Sequence, residues 1–218
     1  MTSSDKSTHQ SLRLAVLLLV AGEGSRLGSL PKALLIKDQQ SLLKRFCAAV
    51  QELQQIELVE LVMVTGFHAH AIEEEIRNIQ KDFPIAMTVS RNSTPEKGQG
   101  SSVRLGLESL QNSFDVLLVA LSDQPNIGSQ EITALLAEYQ LKLPEQEIVL
   151  PVVQGRRGNP VLFSAAAVQK ILEDSVMVCR SYMDQHPERV RVMNTPVEAY
   201  ILDVDTVADI QRERLQLP

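Results

Sequence analysis

An uncharged apolar run that breaks abruptly into glycines is the feature that most limits what this chain can become. Residues 14–20 contain only Leu, Val and Ala, which suits a strand covered on both faces of a parallel sheet. Ala21, Gly22, Gly24 and Gly28 follow at once, with Arg26 and Lys32 among and just beyond them. Small or absent side chains let backbone N–H groups approach an anion closely, and the two cations add fixed positive charge. A buried strand, a glycine loop and two cations together look like a phosphate or nucleotide cradle. The spacing is G-x-G-x-x-x-G, not the dinucleotide fingerprint, and no Gly-Lys-Ser/Thr follows, so it is not a Walker A loop. The plainer alternative is a flexible strand-to-helix turn with solvated charges.

Lys6 and Arg13 precede the apolar run and invite comparison with a signal peptide, but Glu23 and Arg26 crowd the place a cleavage site would need. Residues 1–11 are polar and are expected to be a disordered tail. The remaining 12–218 are enough for one sizeable core, read as a single domain. A formal net charge of -6 argues against general nucleic-acid affinity, though not against a local basic pocket. No apolar run reaches the ~20 residues of a membrane helix. Cys47 and Cys179 are far apart and unpatterned, which argues against a disulfide framework or zinc site and fits a reducing cytoplasm.

Strand and helix patterns alternate along the chain. Helical spacing covers 41–55, a buried strand 58–65, a charged helix 71–81, and a short strand 85–89. A polar stretch 91–100 precedes a helix over 101–110, a strand over 116–121 and a helix over 129–141. This alternation predicts a doubly wound, mostly parallel α/β sheet of Rossmann-like type. The C-terminal half is more elaborate. Strands at 148–153 and 161–164 flank a basic turn, Gly155-Arg156-Arg157-Gly158; helices are expected at 165–173 and 178–185, short strands at 190–193 and 199–202, and a closing helix at 206–215.

Ligands of open parallel sheets bind beyond the carboxyl ends of the strands. There the sequence places the glycine loop, Gly66 after the second strand, Asp123 after 116–121, and Asp203 and Asp205 after the last strand. Each acidic residue has a plain reading: Asp123 as a turn cap, Asp203 or Asp205 as the N-cap of the closing helix. Two acidic segments facing a cationic loop also suit Mg²⁺, which takes one or two carboxylates plus substrate phosphates.

The residues 19–32, with Gly98-Gln99-Gly100-Ser101-Ser102-Val103, Leu121-Ser122-Asp123-Gln124-Pro125, Arg157-Gly158-Asn159-Pro160-Val161 and Leu202-Asp203-Val204-Asp205-Thr206, resemble in order the motifs of nucleotidyltransferases of the molybdenum-cofactor type. The resemblance spans about 14–210, and the Gly-Ser-Ser and Gly-x-Pro-Val blocks bring it nearest the cytidylyltransferase branch. It implies a GT-A-like fold and transfer of a nucleotidyl group, from CTP in that branch, to the phosphate of a molybdopterin-type acceptor. It implies Arg26 and Lys32 on the triphosphate, helped by Gly22, Glu23 and Gly24; Ala21, Gly66 and Ser101 beside base and ribose; and Asp123 with Asp205 on Mg²⁺, Asp203 competing for the second place. Arg157 and Asn159 would border the acceptor, and a molybdoenzyme would receive the product. Two departures stand out: Asn159 where the family commonly has His, and Thr206-Val207-Ala208-Asp209 where it has Thr-Pro-Glu-Asp. The first leaves the acceptor's identity open.

Side readings attach to other residues. Arg156 is either an anion contact or a solvated turn residue. His68 and His70 are a conceivable metal pair but read better as a helix start. Arg91 and Lys97 border the polar stretch and would help close over a nucleotide, and Cys179 near Arg180 reads as a packed thiol. Competing functions are a sugar- or polyol-phosphate nucleotidyltransferase of the same fold and a non-catalytic cofactor carrier.

Overall fold

The computed structural model describes residues 11–218. The expected N-terminal tail, apart from Ser11, lies outside the described residues. The first strand, β1 (Leu12–Val20), is buried from Leu14 onward, its alternate side chains packing into two separate cores. After it come two short 3-10 turns, Ser25–Leu27 and Lys32–Leu34, and a small hairpin of β2 (Ile36–Lys37) and β3 (Gln40–Ser41). Helix α1 (Leu42–Gln51) starts at Ser41, whose hydroxyl accepts the Lys44 N–H at 3.0 Å. β4 (Ile56–Thr65) and α2 (Ala69–Gln80) follow.

β5 forms at Met87–Arg91, two residues later than the hydropathy suggests. The cause is local. The Gln80 amide donates to the Ile85 carbonyl at 3.0 Å and accepts the Met87 N–H at 2.6 Å, which holds residues 85 and 86 in a turn. Next come α3 (Gln99–Glu108), β6 (Val116–Leu121), α4 (Ser129–Gln140) and β7 (Ile148–Val153). Arg156 and Arg157 are not turn residues: they form the return strand β8 (Arg156–Arg157), and the turn itself is Gln154-Gly155, both at positive φ. The chain continues through β9 (Val161–Ser164), α5 (Ala165–Glu173), α6 (Cys179–Gln185), β10 (Val190–Asn194) and α7 (Val207–Arg212).

The main sheet runs in the order β10-β7-β9-β6-β1-β4-β5, with β8 beside β7. β1 pairs in parallel with both β4 and β6, β4 with β5 and β7 with β10, while β9 lies antiparallel between β6 and β7. Helices α1, α2 and α4 cover one face, and α3, α5 and α6 the other. The fold is therefore the doubly wound, mostly parallel sheet expected from sequence. One expected strand is absent: residues 198–201 form a 3-10 turn, Glu198–Ile201. Tyr200 is buried there with its hydroxyl on the Glu131 carbonyl (2.9 Å), and its own carbonyl receives Gln124 Nε2 and the Asn159 N–H. Those tertiary bonds take the place of a strand ladder. Among the described residues no helix is long and apolar enough to cross a membrane.

Candidate active site

The carboxyl ends of β1 and β6 open into a cleft of about 480 Å³, lined by Ala21 to Arg26, Lys32, Phe67, Gly98, Gln99, Ser102, Asp123 and Asp205 among others. The glycine loop forms its floor. Gly24 sits at φ +67, and a Cβ there would lie 2.2 Å from the Leu30 carbonyl oxygen, so only glycine fits this turn. The Gly24 carbonyl accepts the Leu27 and Ser29 N–H groups, at 2.9 and 3.1 Å, closing the loop on itself. His68 adds an outside tie, with Nε2 2.8 Å from the Glu23 carbonyl oxygen. It is part of the loop's scaffold, and His70 lies exposed on α2.

The two acidic segments are brought together by apolar packing. Val204 is fully buried with Leu35, Leu42 and Leu215, and its N–H donates to the Asp123 carbonyl at 3.0 Å. Burying Val204 leaves its neighbours Asp203 and Asp205 on the outer side, next to Asp123. The same cluster holds Leu35, three residues beyond Lys32, so one small core fixes the lysine and the acidic pair alike. The Lys32 ammonium lies 2.9 Å from Asp123 Oδ2 and 2.6 Å from Asp205 Oδ1. Arg26 Nη1 reaches Asp205 Oδ2 at 2.9 Å from a side chain 74% exposed.

None of the three aspartates is a helix cap. The closing helix α7 is capped by Thr206, whose hydroxyl accepts the Asp209 N–H while Asp209 accepts the Thr206 N–H at 2.8 Å. The N-cap of α4 is Gly128, paired with Glu131. With those structural duties assigned elsewhere, Asp123, Asp203 and Asp205 are left to one another and to the two cations. Burial pulls the Lys32 ammonium toward neutrality, but Asp123 and Asp205 outweigh it and raise its pKa, so it stays charged. Asp203 is held less well: a hydrogen bond with Gln124 and the charge of Lys32 favour its ionised form but are outweighed. Crowding by surrounding protein, then the charges of Asp123 and Asp205, push its carboxyl up to about 6. Its surface is nonetheless open to solvent, so water tempers the shift while the like charges fix its direction.

Two carboxylate oxygens within 2.9 Å of one cation make a donor pair that fits a hard divalent ion completed by phosphate oxygens. Asp205, rather than Asp203, shares that cation with Asp123.

Several residues singled out from sequence fall elsewhere. Gly66 and Ser101 do not line the cleft; Phe67 and Ser102 do. Gly66 serves close packing, since a Cβ there would lie 2.8 Å from the Ala21 Cβ and carbonyl oxygen. Ser101 Oγ turns back to the Gly98 carbonyl at 2.8 Å. The buried Asn92 donates to the hydroxyls of both Ser101 and Ser102 at 2.9 Å, bracing the start of α3 against the cleft. Arg157 and Asn159 also lie outside the lining: Arg157 pairs with Asp184, and the Asn159 N–H is bound to the Tyr200 carbonyl at 2.8 Å. Arg91 is paired with Glu73, and Lys97 ends the 3-10 turn Pro95–Lys97. Cys179 is a buried thiol whose pKa burial pushes up to about 12, as it does for Cys47.

Residues 16–190 match the MobA-like NTP transferase domain, and the chain belongs to that family. Among curated proteins, it is 32% identical over 127 residues to the bifunctional protein GlmU of Streptomyces coelicolor, covering 57% of this chain and 25% of that protein. The chain thus spans a quarter of that relative's length. It is 29% identical to the nicotine blue oxidoreductase of Paenarthrobacter nicotinovorans over 89% of this chain and 93% of that one. It is 28% identical to the 2-C-methyl-D-erythritol 4-phosphate cytidylyltransferase of Thermobifida fusca over 73% of this chain and 66% of the other. Among solved structures, a nucleotidyl transferase from Methanothermobacter superposes with a TM-score of 0.68 at 20% identity, covering 94% of this chain and 97% of that one; this likeness concerns the fold.

Proposed function

We propose that the protein is a Mg²⁺-dependent nucleotidyltransferase that moves CMP from CTP to the phosphate of a molybdopterin-type acceptor and releases pyrophosphate. The observation that carries this reading is the meeting of Asp123 and Asp205 around one cation at the edge of the glycine loop. Family membership supports the reaction type, and the cytidylyltransferase relative supports CTP. The acceptor rests on the motif blocks alone.

The acceptor phosphate is already an anionic nucleophile, so no protein base has to activate it, and catalysis reduces to alignment and charge neutralisation. Amides of Gly22, Glu23 and Gly24 cradle the triphosphate. Arg26 and Lys32 bind its β- and γ-phosphates and stabilise the departing pyrophosphate. Asp123 and Asp205 would hold Mg²⁺, which would supply charge neutralisation to the phosphates. Ala21 and Ser102 border base and ribose. Arg157 and Asn159, which stand outside the cleft, meet the far part of the acceptor.

The test is pyrophosphate release with each of the four NTPs, with and without molybdopterin-type acceptor. Release with CTP that depends on both acceptor and Mg²⁺ supports the proposal, and release with a sugar phosphate in place of the pterin replaces the acceptor. A second reading, an oxidoreductase activity, is favoured by the near end-to-end alignment with the relative named as an oxidoreductase. Turnover of an added redox substrate, with no pyrophosphate from any NTP, would establish it instead.

A further inference from the structure

The position of Lys32 has a consequence for the order in which the site fills. Its ammonium lies between Asp123 Oδ2 and Asp205 Oδ1, at 2.9 and 2.6 Å. A divalent ion bound by the same two oxygens would sit about 2 Å from each, on top of the ammonium or pressed against it. Two cations cannot share that space. The lysine side chain is only 16% exposed, so bulk water does little to weaken its hold on the pair. Arg26 cannot substitute for it: it reaches only Asp205, from a side chain 74% exposed. Lys32 also lines the same cleft as Gly22, Gly24 and Arg26, so its flexible stem can turn from the carboxylates toward an anion held by the loop.

We propose that Lys32 is an internal counter-ion that closes the Asp123–Asp205 pair against a free divalent cation, so that the ion enters only with a polyphosphate that takes Lys32 in exchange. The proposal rests on the nucleotidyltransferase reading for the polyphosphate, but not for the lock itself. One lysine then has two stations, carboxylates before binding and phosphates after, and the exchange ties ion and nucleotide together as a unit. The site selects the metal–nucleotide complex over either component alone, because neither can replace both of the contacts that the other disturbs.

The experiment is Mn²⁺ binding to the full chain without nucleotide, followed by electron paramagnetic resonance of the free ion, in wild type and Lys32→Met. Removing the ammonium while keeping the stem should tighten Mn²⁺ binding at least tenfold, and adding Asp205→Asn to Lys32→Met should abolish that gain. A Lys32→Met protein that binds Mn²⁺ no more tightly than wild type overturns the proposal. Because two carboxylates left without their cation destabilise the fold, melting temperature is recorded in parallel. The variant should be raised several degrees by millimolar Mn²⁺ and wild type hardly at all; equal shifts overturn the proposal by a second route. Neither readout needs turnover. A tightened variant with no pyrophosphate from any NTP leaves the lock standing without the enzyme reading, and the reverse result leaves the enzyme reading without the lock.

Discussion

Asp203→Asn should make the protein more stable at neutral pH and change nothing in acid. In the folded chain this carboxyl is raised from 3.8 to about 6, by crowding and then by Asp123 and Asp205. Between those two values the folded state binds more protons than the unfolded state, so stability falls as pH rises and reaches its floor above about pH 6. A rise from 3.8 to about 6 corresponds to ~3 kcal/mol for a fully enclosed group. The side chain is exposed, and solvent screening reduces the expected penalty to about 1 kcal/mol. Asparagine keeps the shape and removes the charge, so the variant should recover that amount at pH 7.5 and none near pH 3.5. For a chain of this length ~1 kcal/mol is about 2–4 °C in Tm. The assay is thermal unfolding of both proteins from pH 3.5 to 8 with chelator present. A variant less stable than wild type at pH 7.5, or a gain that persists at pH 3.5, would refute the charge penalty assigned to Asp203.

Asp123→Ala should lower turnover at least a hundredfold with unchanged far-UV circular dichroism, since it removes charge and little packing. Gly66→Ala forces a Cβ to within 2.8 Å of Ala21; a loss of about 1–3 kcal/mol in thermal unfolding and a raised nucleotide KM should follow together. Asp115 accepts from Arg13 at 2.9 Å, which holds its carboxyl below the usual range against desolvation. Its contribution is present above the unfolded pKa and lost as pH falls through the folded one, so Asp115→Asn should flatten the acid edge of the stability curve below about pH 4.

What the sequence revealed was whatever depended on neighbours along the chain. Residues 14–20 read as a buried strand because each side chain is apolar, and β1 is covered on both faces. Asp123 was conspicuous because it follows VLLVAL directly. What stayed hidden depended on partners beyond the reach of the local pattern. Gln80 reaches forward to Ile85 and Met87 and delays β5, and nothing in its local sequence announces that reach. Ser102 and not Ser101 lines the cleft; Asn92 binds both hydroxyls, and the one contact particular to Ser101 is its bond back to the Gly98 carbonyl. The Thr206–Asp209 capping box is legible in Thr206-Val207-Ala208-Asp209 and frees Asp203 and Asp205 of capping duty. Residues 58–65 read as a buried strand, but the partner of the one charge within it is not legible: Glu60 is buried and accepts the N–H groups of Gln111 and Asn112 at 3.0 to 3.1 Å. That role follows a register shift between Leu14 and Ala15 against β4, which no periodicity count detects.

In the proposed reaction Asp123 and Asp205 act as one ligand pair. A crystal of the protein grown with CTP and Mn²⁺, measured at the manganese absorption edge, tests that most directly. An anomalous peak within bonding distance of both carboxylates, with Lys32 turned onto the phosphates, is the expected result. A peak that touches neither aspartate, with Lys32 still between them, would contradict it.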